Sequence, residues 1–226
     1  MAKNQNVDDI TWIRRWIKKG LSKDKKTLDL SNKRFDLQIA IDVAENMAVP
    51  GIEFLHLTHC WMKDSYLEEI VEGELFRGIQ ELWLNENLIR TQGAEYLAEC
   101  EKLDNLRYLS LYSNKIGPEG AEALAESPHL SKLETLDLSF NKVGDAGAVA
   151  LANSKSLSRL KTLHLDANGI GKDGMQALAE SPGLKKLETL NMTYNLIAPE
   201  GFEILRQSQR LAALKEFRFD SPADND

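Results

Sequence analysis

Apolar residues recur along this chain on a fixed ruler. Leu106, Leu133, Leu160, Leu187 and Leu214 stand 27 residues apart, and each opens the same phrase. It runs Leu106, Leu109, Leu111, Asn114, Ile116, then Gly120, Ala121, Leu124, Ala125 and Leu130. It returns as Leu133, Leu136, Leu138, Asn141, Val143, Gly147, Leu151, Leu157, and as Leu160, Leu163, Leu165, Asn168, Ile170, Gly174, Leu178, Leu184. A self-similar period of about 20–50 residues predicts a solenoid of stacked units, each contacting only its neighbours. Within a unit, Leu109 and Leu111 alternate with Ser110 and Tyr112, which predicts a short strand buried on one face. Asn114 falls where the chain turns, its amide suited to satisfy backbone groups that would otherwise be buried unpaired. Gly120, Ala121, Leu124 and Ala125 then predict a helix, with small residues where it lies closest to its neighbour. Ser127-Pro128 and Ser181-Pro182 stop that helix, because the residue before proline is pushed out of the helical region.

The phrase, L-x-x-L-x-L-x-x-N-x-(I/V/L), resembles the leucine-rich repeat, specifically the ribonuclease-inhibitor-like class with a full helix on the outer side. The match covers roughly residues 79–214. Upstream, the unit at Ile52 keeps Leu55, Leu57 and Met62 and has Cys60 in the asparagine place. The unit from Lys25 keeps Leu28, Leu30 and Phe35, but Asn32 comes one place early and Lys33 stands in the ladder position. The resemblance implies an α/β leucine-rich-repeat solenoid, a horseshoe arc with parallel strands on the concave face and helices on the convex face. Residues 25–219 hold about eight repeats, the last reaching only its strand.

Both ends of a solenoid need cover. Asp8 or Asp9 reads as a helix N-cap, and Ile10, Ile13, Trp16 and Ile17 share one helical face, so residues 1–24 are expected to form a capping helix. Arg14, Arg15, Lys18 and Lys19 leave a basic amphipathic anchor as the other reading of that helix. Residues 220–226 read as a disordered acidic tail. With 42% hydrophobic and 28% charged residues the composition is that of one soluble globular domain, and no stretch suits a membrane span or signal peptide. Two cysteines are too few for a disulfide scaffold and are expected to be reduced thiols in the cytoplasm.

Strands pack closer than helices, so the stack should bend with strands inside, and the third, fifth, seventh and eighth places of each unit should face the hollow. Six of these 32 positions are Phe, Trp or Tyr, against 7% aromatics in the whole chain. Seven are acidic (Asp29, Glu81, Glu86, Asp137, Asp166, Glu216, Asp220) and only Arg218 is basic. Exposed aromatics among polar groups suit protein recognition. The candidate partner-binding residues are therefore Phe54, His56, His59, Trp83, Glu86, Tyr108, Tyr112 and Phe140, with Trp61 on the adjoining loop. The competing reading is that these rings only pack laterally to stiffen the sheet.

Little here suggests chemistry. His56, His59 and Cys60 form an H-x-x-H-C run, but Cys60 should turn inward while the histidines face the hollow, so no metal or other cofactor is expected. Asp137 and His164 occupy the same place in adjacent units, which brings a carboxylate–imidazole contact within reach, and Ser110 continues the row. The order serine, aspartate, histidine is wrong for a triad, in which histidine must stand between the other two. The glycines belong to the repeat's turn and form no phosphate-binding loop. A net charge of −7 and an acidic concave face argue against nucleic acid. The expectation is a non-catalytic module that binds a protein or peptide with a basic contact surface. Ran GTPase-activating proteins share this repeat class, so a regulator of a small GTPase is one alternative, though no motif specific to that role is present. A secreted bacterial effector acting in a host cytoplasm is another. Arg218, Asp220 and Pro222 favour a blunted C-terminal edge and a monomer over a dimer formed through that edge.

Overall fold

The computed structural model describes residues 11–197 and 199–219. The Asp8 or Asp9 cap, Ile10 and the acidic tail at 220–226 lie outside them. Among the described residues eight strands alternate with eight α-helices in chain order: α1 (Thr11–Gly20), β1 (Thr27–Asp29), α2 (Leu37–Asn46), β2 (Phe54–His56), α3 (Asp64–Glu72), β3 (Glu81–Trp83), α4 (Thr91–Glu99), β4 (Tyr108–Ser110) and α5 (Gly117–Glu126). There follow β5 (Thr135–Asp137), α6 (Gly144–Asn153), β6 (Thr162–His164), α7 (Lys172–Ala179), β7 (Thr189–Asn191), α8 (Pro199–Arg206) and β8 (Glu216–Arg218). All eight strands form one parallel sheet in the order of the sequence. Its register is the 27-residue ruler made physical: Leu28 pairs with Leu55, Leu55 with Leu82, and so on to Leu190 with Phe217.

From Leu28 to Leu190, the central leucine of every strand is at most 1% exposed. So is its partner two places on, from Leu30 through Leu165 to Met192. No unit could bury these side chains alone; each covers its neighbour's, which is why stability here is a property of the stack. The helices close the other side of the core. Gly120 shows why small residues stand at their inner turn: a Cβ there would sit 3.2 Å from Ala94 Cβ and 2.7 Å from Ile116 Cγ2. Neighbouring strands lie about 4.8 Å apart while helix axes need about 8–10 Å, so the stack curves with the strands on the inside.

At the first unit, α1 turns Ile13 fully inward, sets Trp16 against Phe35 with ring centroids 5.8 Å apart, and packs Ile17 on the core. Its cations Arg14, Arg15, Lys18 and Lys19 point to solvent. At the last described unit, Leu214 and Phe217 are only partly buried, and β8 has one strand neighbour among the described residues. Amide hydrogen exchange should therefore be much faster over residues 214–219 than over 136–138, where Leu136 is 1% exposed. Equal protection in both strands, together with a dimer mass in solution, would instead mean that a second copy covers that edge.

Candidate functional site

The strand face is shaped by what happens just beyond each strand. Asn87, Asn114, Asn141, Asn168 and Asn195 form a ladder with their amides turned into the stack. Asn87 Nδ2 donates to Leu57 O and Leu84 O, while its Oδ1 accepts from the backbone N–H of Cys60 and of Met62. Each amide thus satisfies backbone groups of its own unit and of the one before. The residue preceding the ladder position is left-handed in every unit from Asn32 to Tyr194, and none of the seven is glycine (φ 52 to 61°). A left-handed residue with a side chain is disfavoured by about 1–2 kcal/mol, and the turn is held by cross-unit bonds such as Phe140 N–H to Asp166 O. This geometry throws His59, Glu86 and Phe140 outward at the rim of the face, all three exposed.

The aromatic residues form two clusters. His56 stacks on Trp83 (centroids 4.1 Å, planes 20° apart), and Trp83 leans on Tyr108 at 4.8 Å. One strand further on, Tyr112 meets Phe140 edge-on at 5.2 Å. Phe54 lies in register beside Glu81 and joins neither cluster; His59 and Glu86 likewise have no ring partner among the described residues. Trp61, half exposed, carries the Arg34 guanidinium over its ring at 5.5 Å. The rings therefore do pack laterally, yet Phe140 keeps 44% of its surface exposed and Trp83, Tyr108 and Tyr112 stay partly open. Burial lowers the His56 pKa from the ordinary imidazole range, with Asp29 pulling the other way. Burial likewise raises that of Tyr108, and Asp137 adds to the rise.

The other half of the face is a hydrogen-bonded polar row, and it corrects one expectation. Asp137 does not pair with His164. Its Oδ1 accepts from the Ser139 N–H at 2.9 Å and its Oδ2 faces the Ser110 hydroxyl at 3.3 Å, while His164 Nδ1 lies 2.7 Å from Asn191 Nδ2 on the opposite side. The reason is local. An aspartate at a strand end bonds the backbone two residues on, and Asp29 does the same to Ser31. Asp166 reaches along the row to Thr193 and Ser139. The side chains of the H-x-x-H-C run also part company: His56 stacks, His59 points out, and Cys60 is fully buried with Sγ donating to Leu30 O at 3.2 Å. Burial pushes the Cys60 thiol up to about 11. Among the described residues no group of three or more His, Cys, Asp or Glu side chains could hold a metal ion.

A second ladder escaped the sequence reading. Ser127, Ser154, Ser181 and Ser208, again 27 apart, each follow one helix and donate a hydroxyl to a carbonyl at the C-terminal end of the helix one unit earlier: Ala98, Ala125, Ala152 and Ala179 O. Cys100 occupies this place one unit earlier, and there Lys102 Nζ caps the equivalent carbonyl, Val71 O, at 2.6 Å. Both cysteines thus sit in ladder positions, which accounts for their burial. Also missed was Leu196, 75% exposed beside Tyr194 at 72%. The signal was present: Leu196 follows the ladder asparagine where other units carry Lys115 and Lys142.

A model of the Leucine Rich repeat family matches residues 103–125, 129–152 and 158–179. No curated protein matches the chain. Among solved structures it is similar to the crystal structure of a TDR receptor, at 20% identity and a TM-score of 0.47, covering 84% of this chain and 30% of that one. It is similar to an internalin from Listeria monocytogenes at 20% identity and a TM-score of 0.41, covering 86% and 61%. It is also similar to a leucine-rich-repeat protein from Leptospira interrogans at 21% identity and a TM-score of 0.49, covering 88% and 49%. The chain therefore spans less than two thirds of each of these solved chains. With the family's repeat matched in three successive units and one strand–turn–helix unit stacked in 27-residue register through eight parallel strands among the described residues, the chain carries leucine-rich repeats and is built as a leucine-rich-repeat solenoid.

Proposed function

We propose that this chain is a non-catalytic interaction module of the ribonuclease-inhibitor-like class, acting as a monomer in the cytoplasm and taking a protein or peptide partner on its strand face. The observation that carries this reading is the pairing of partly open aromatic clusters with one sign of charge. His56, Trp83 and Tyr108, then Tyr112 and Phe140, offer large apolar area that is already ordered by ring contacts. Rigid, half-open rings bind at low entropic cost. Around them stand Asp29, Glu81, Glu86, Asp137 and Asp166, and Arg218 is the one cation among the described residues of these rows. Such a face attracts a basic contact surface and repels an acidic one.

Affinity capture with the wild-type chain and with the Trp83→Ala/Tyr112→Ala double variant tests this. The captured partner should bind through a basic patch, release from the double variant, and weaken steadily as salt rises from low to physiological strength. A partner held through an acidic surface, or one indifferent to salt over that range, would overturn the reading.

A further inference from the structure

Resting on the strand face as the binding surface, one position on it is built differently from the rest. Glu81 is only partly exposed, and among the described residues no hydrogen bond or counter-ion reaches its carboxylate. The other half-buried acids of the strand face, Asp137 and Asp166, are satisfied by hydroxyls and backbone N–H groups of their own and neighbouring turns. The cations nearest along the sheet are also taken. One place before the strands runs a row of ion pairs, Lys26 with Glu53 at 2.9 Å, Arg107 and Lys161 both with Glu134 at 2.7 and 2.6 Å, and Lys215 with Glu188 at 2.6 Å. In that row the position next to Glu81 is Gln80, which brings no charge. Burial accordingly raises the Glu81 pKa with nothing to oppose it.

The surroundings of this carboxylate are aromatic. Phe54 and Tyr108 are its register partners on β2 and β4, about 4.8 Å to either side. Trp83, two residues along the same strand, faces the same way and leans on Tyr108 at 4.8 Å. A carboxylate among aromatic rings offers a cation both a counter-charge and π faces. A guanidinium fits better than an ammonium, because it is planar, stacks on rings and meets a carboxylate through two parallel N–H donors. We infer that Glu81, with Phe54, Trp83 and Tyr108, forms a subsite for an arginine side chain of the partner.

The test uses the full chain and end-capped tetrapeptides of arginine, lysine and glutamate as probes, followed by the NMR signal of the Trp83 indole N–H, assigned with Trp83→Phe. The arginine peptide should shift that signal at lower concentration than the lysine peptide, and the glutamate peptide should leave it in place. Glu81→Gln should weaken the arginine peptide about tenfold without lowering Tm, since it removes an unpaired half-buried charge. Glu122→Gln, an equal change in charge at an exposed site on α5 away from the strand face, should weaken it by about twofold or less. Equal losses in the two variants, lysine binding as well as arginine, or an unmoved Trp83 signal would overturn the subsite. If Glu81→Gln leaves the captured partner's affinity unchanged while Trp83→Ala/Tyr112→Ala abolishes it, the subsite fails and the face reading stands; no loss in either overturns both.

Discussion

Asn141→Ala should lower the unfolding free energy by about 3–5 kcal/mol, as much as removing a core leucine, because it strands several buried backbone groups at about 1–3 kcal/mol each. Asn141 is 0% exposed. Its Nδ2 donates to Leu111 O at 2.8 Å and Leu138 O at 3.0 Å, and its Oδ1 accepts the Ile116 N–H at 3.2 Å. Alanine supplies no replacement, and no water can reach the site without opening the stack. Two comparisons make the mechanism visible in urea unfolding. Asn141→Cys should recover part of the loss, since Cys60 holds the same place natively and donates to Leu30 O. Asn195→Ala should cost less, since Asn195 is only partly buried. A change for Asn141→Ala of no more than about 0.5 kcal/mol, the range of ordinary surface substitutions, would mean that the ladder is not what holds adjacent units together.

Trp83→Ala and Tyr112→Ala should each weaken the partner by about 2 kcal/mol or more if these rings are anchors of the interface. The folding cost should be smaller but not nil. Trp83 touches two rings, His56 and Tyr108, and Tyr112 touches one, Phe140. Aromatic pairs contribute about 0.5–1.5 kcal/mol each, so Trp83→Ala should destabilise more than Tyr112→Ala, and both less than the about 2–5 kcal/mol expected of Leu111→Ala. Titration calorimetry with the captured partner, set beside urea melts of the same variants, separates the two effects. Trp83→Ala as destabilising as Leu111→Ala, with binding otherwise intact, would make the cluster a stiffening device of the sheet and nothing more.

The sequence by itself determined everything that depends on repetition. Leucines at a fixed period of 27 can be buried only against the same leucines of the next unit, so strand order, register, the inward face and the asparagine ladder all follow from one spacing. The same spacing places Cys60 inside and His59 outside. It also brings Trp83 between His56 and Ser110, without saying that the indole would stack on His56 and lean on Tyr108. Tertiary structure decided the rest, because lateral contacts between long side chains are a competition among partners at similar distance. Asp137 had His164 within reach and took its own turn's N–H instead, which costs less side-chain ordering. Val71 O lacked a serine and was capped by Lys102, a long side chain whose reach no spacing rule encodes. Glu81 was left without a donor where the flanking cations Lys26 and Arg107 pair with Glu53 and Glu134 and the residue before it is the neutral Gln80. Such outcomes rest on rotamers and on what each neighbour has already bonded, and these are properties of the assembled stack.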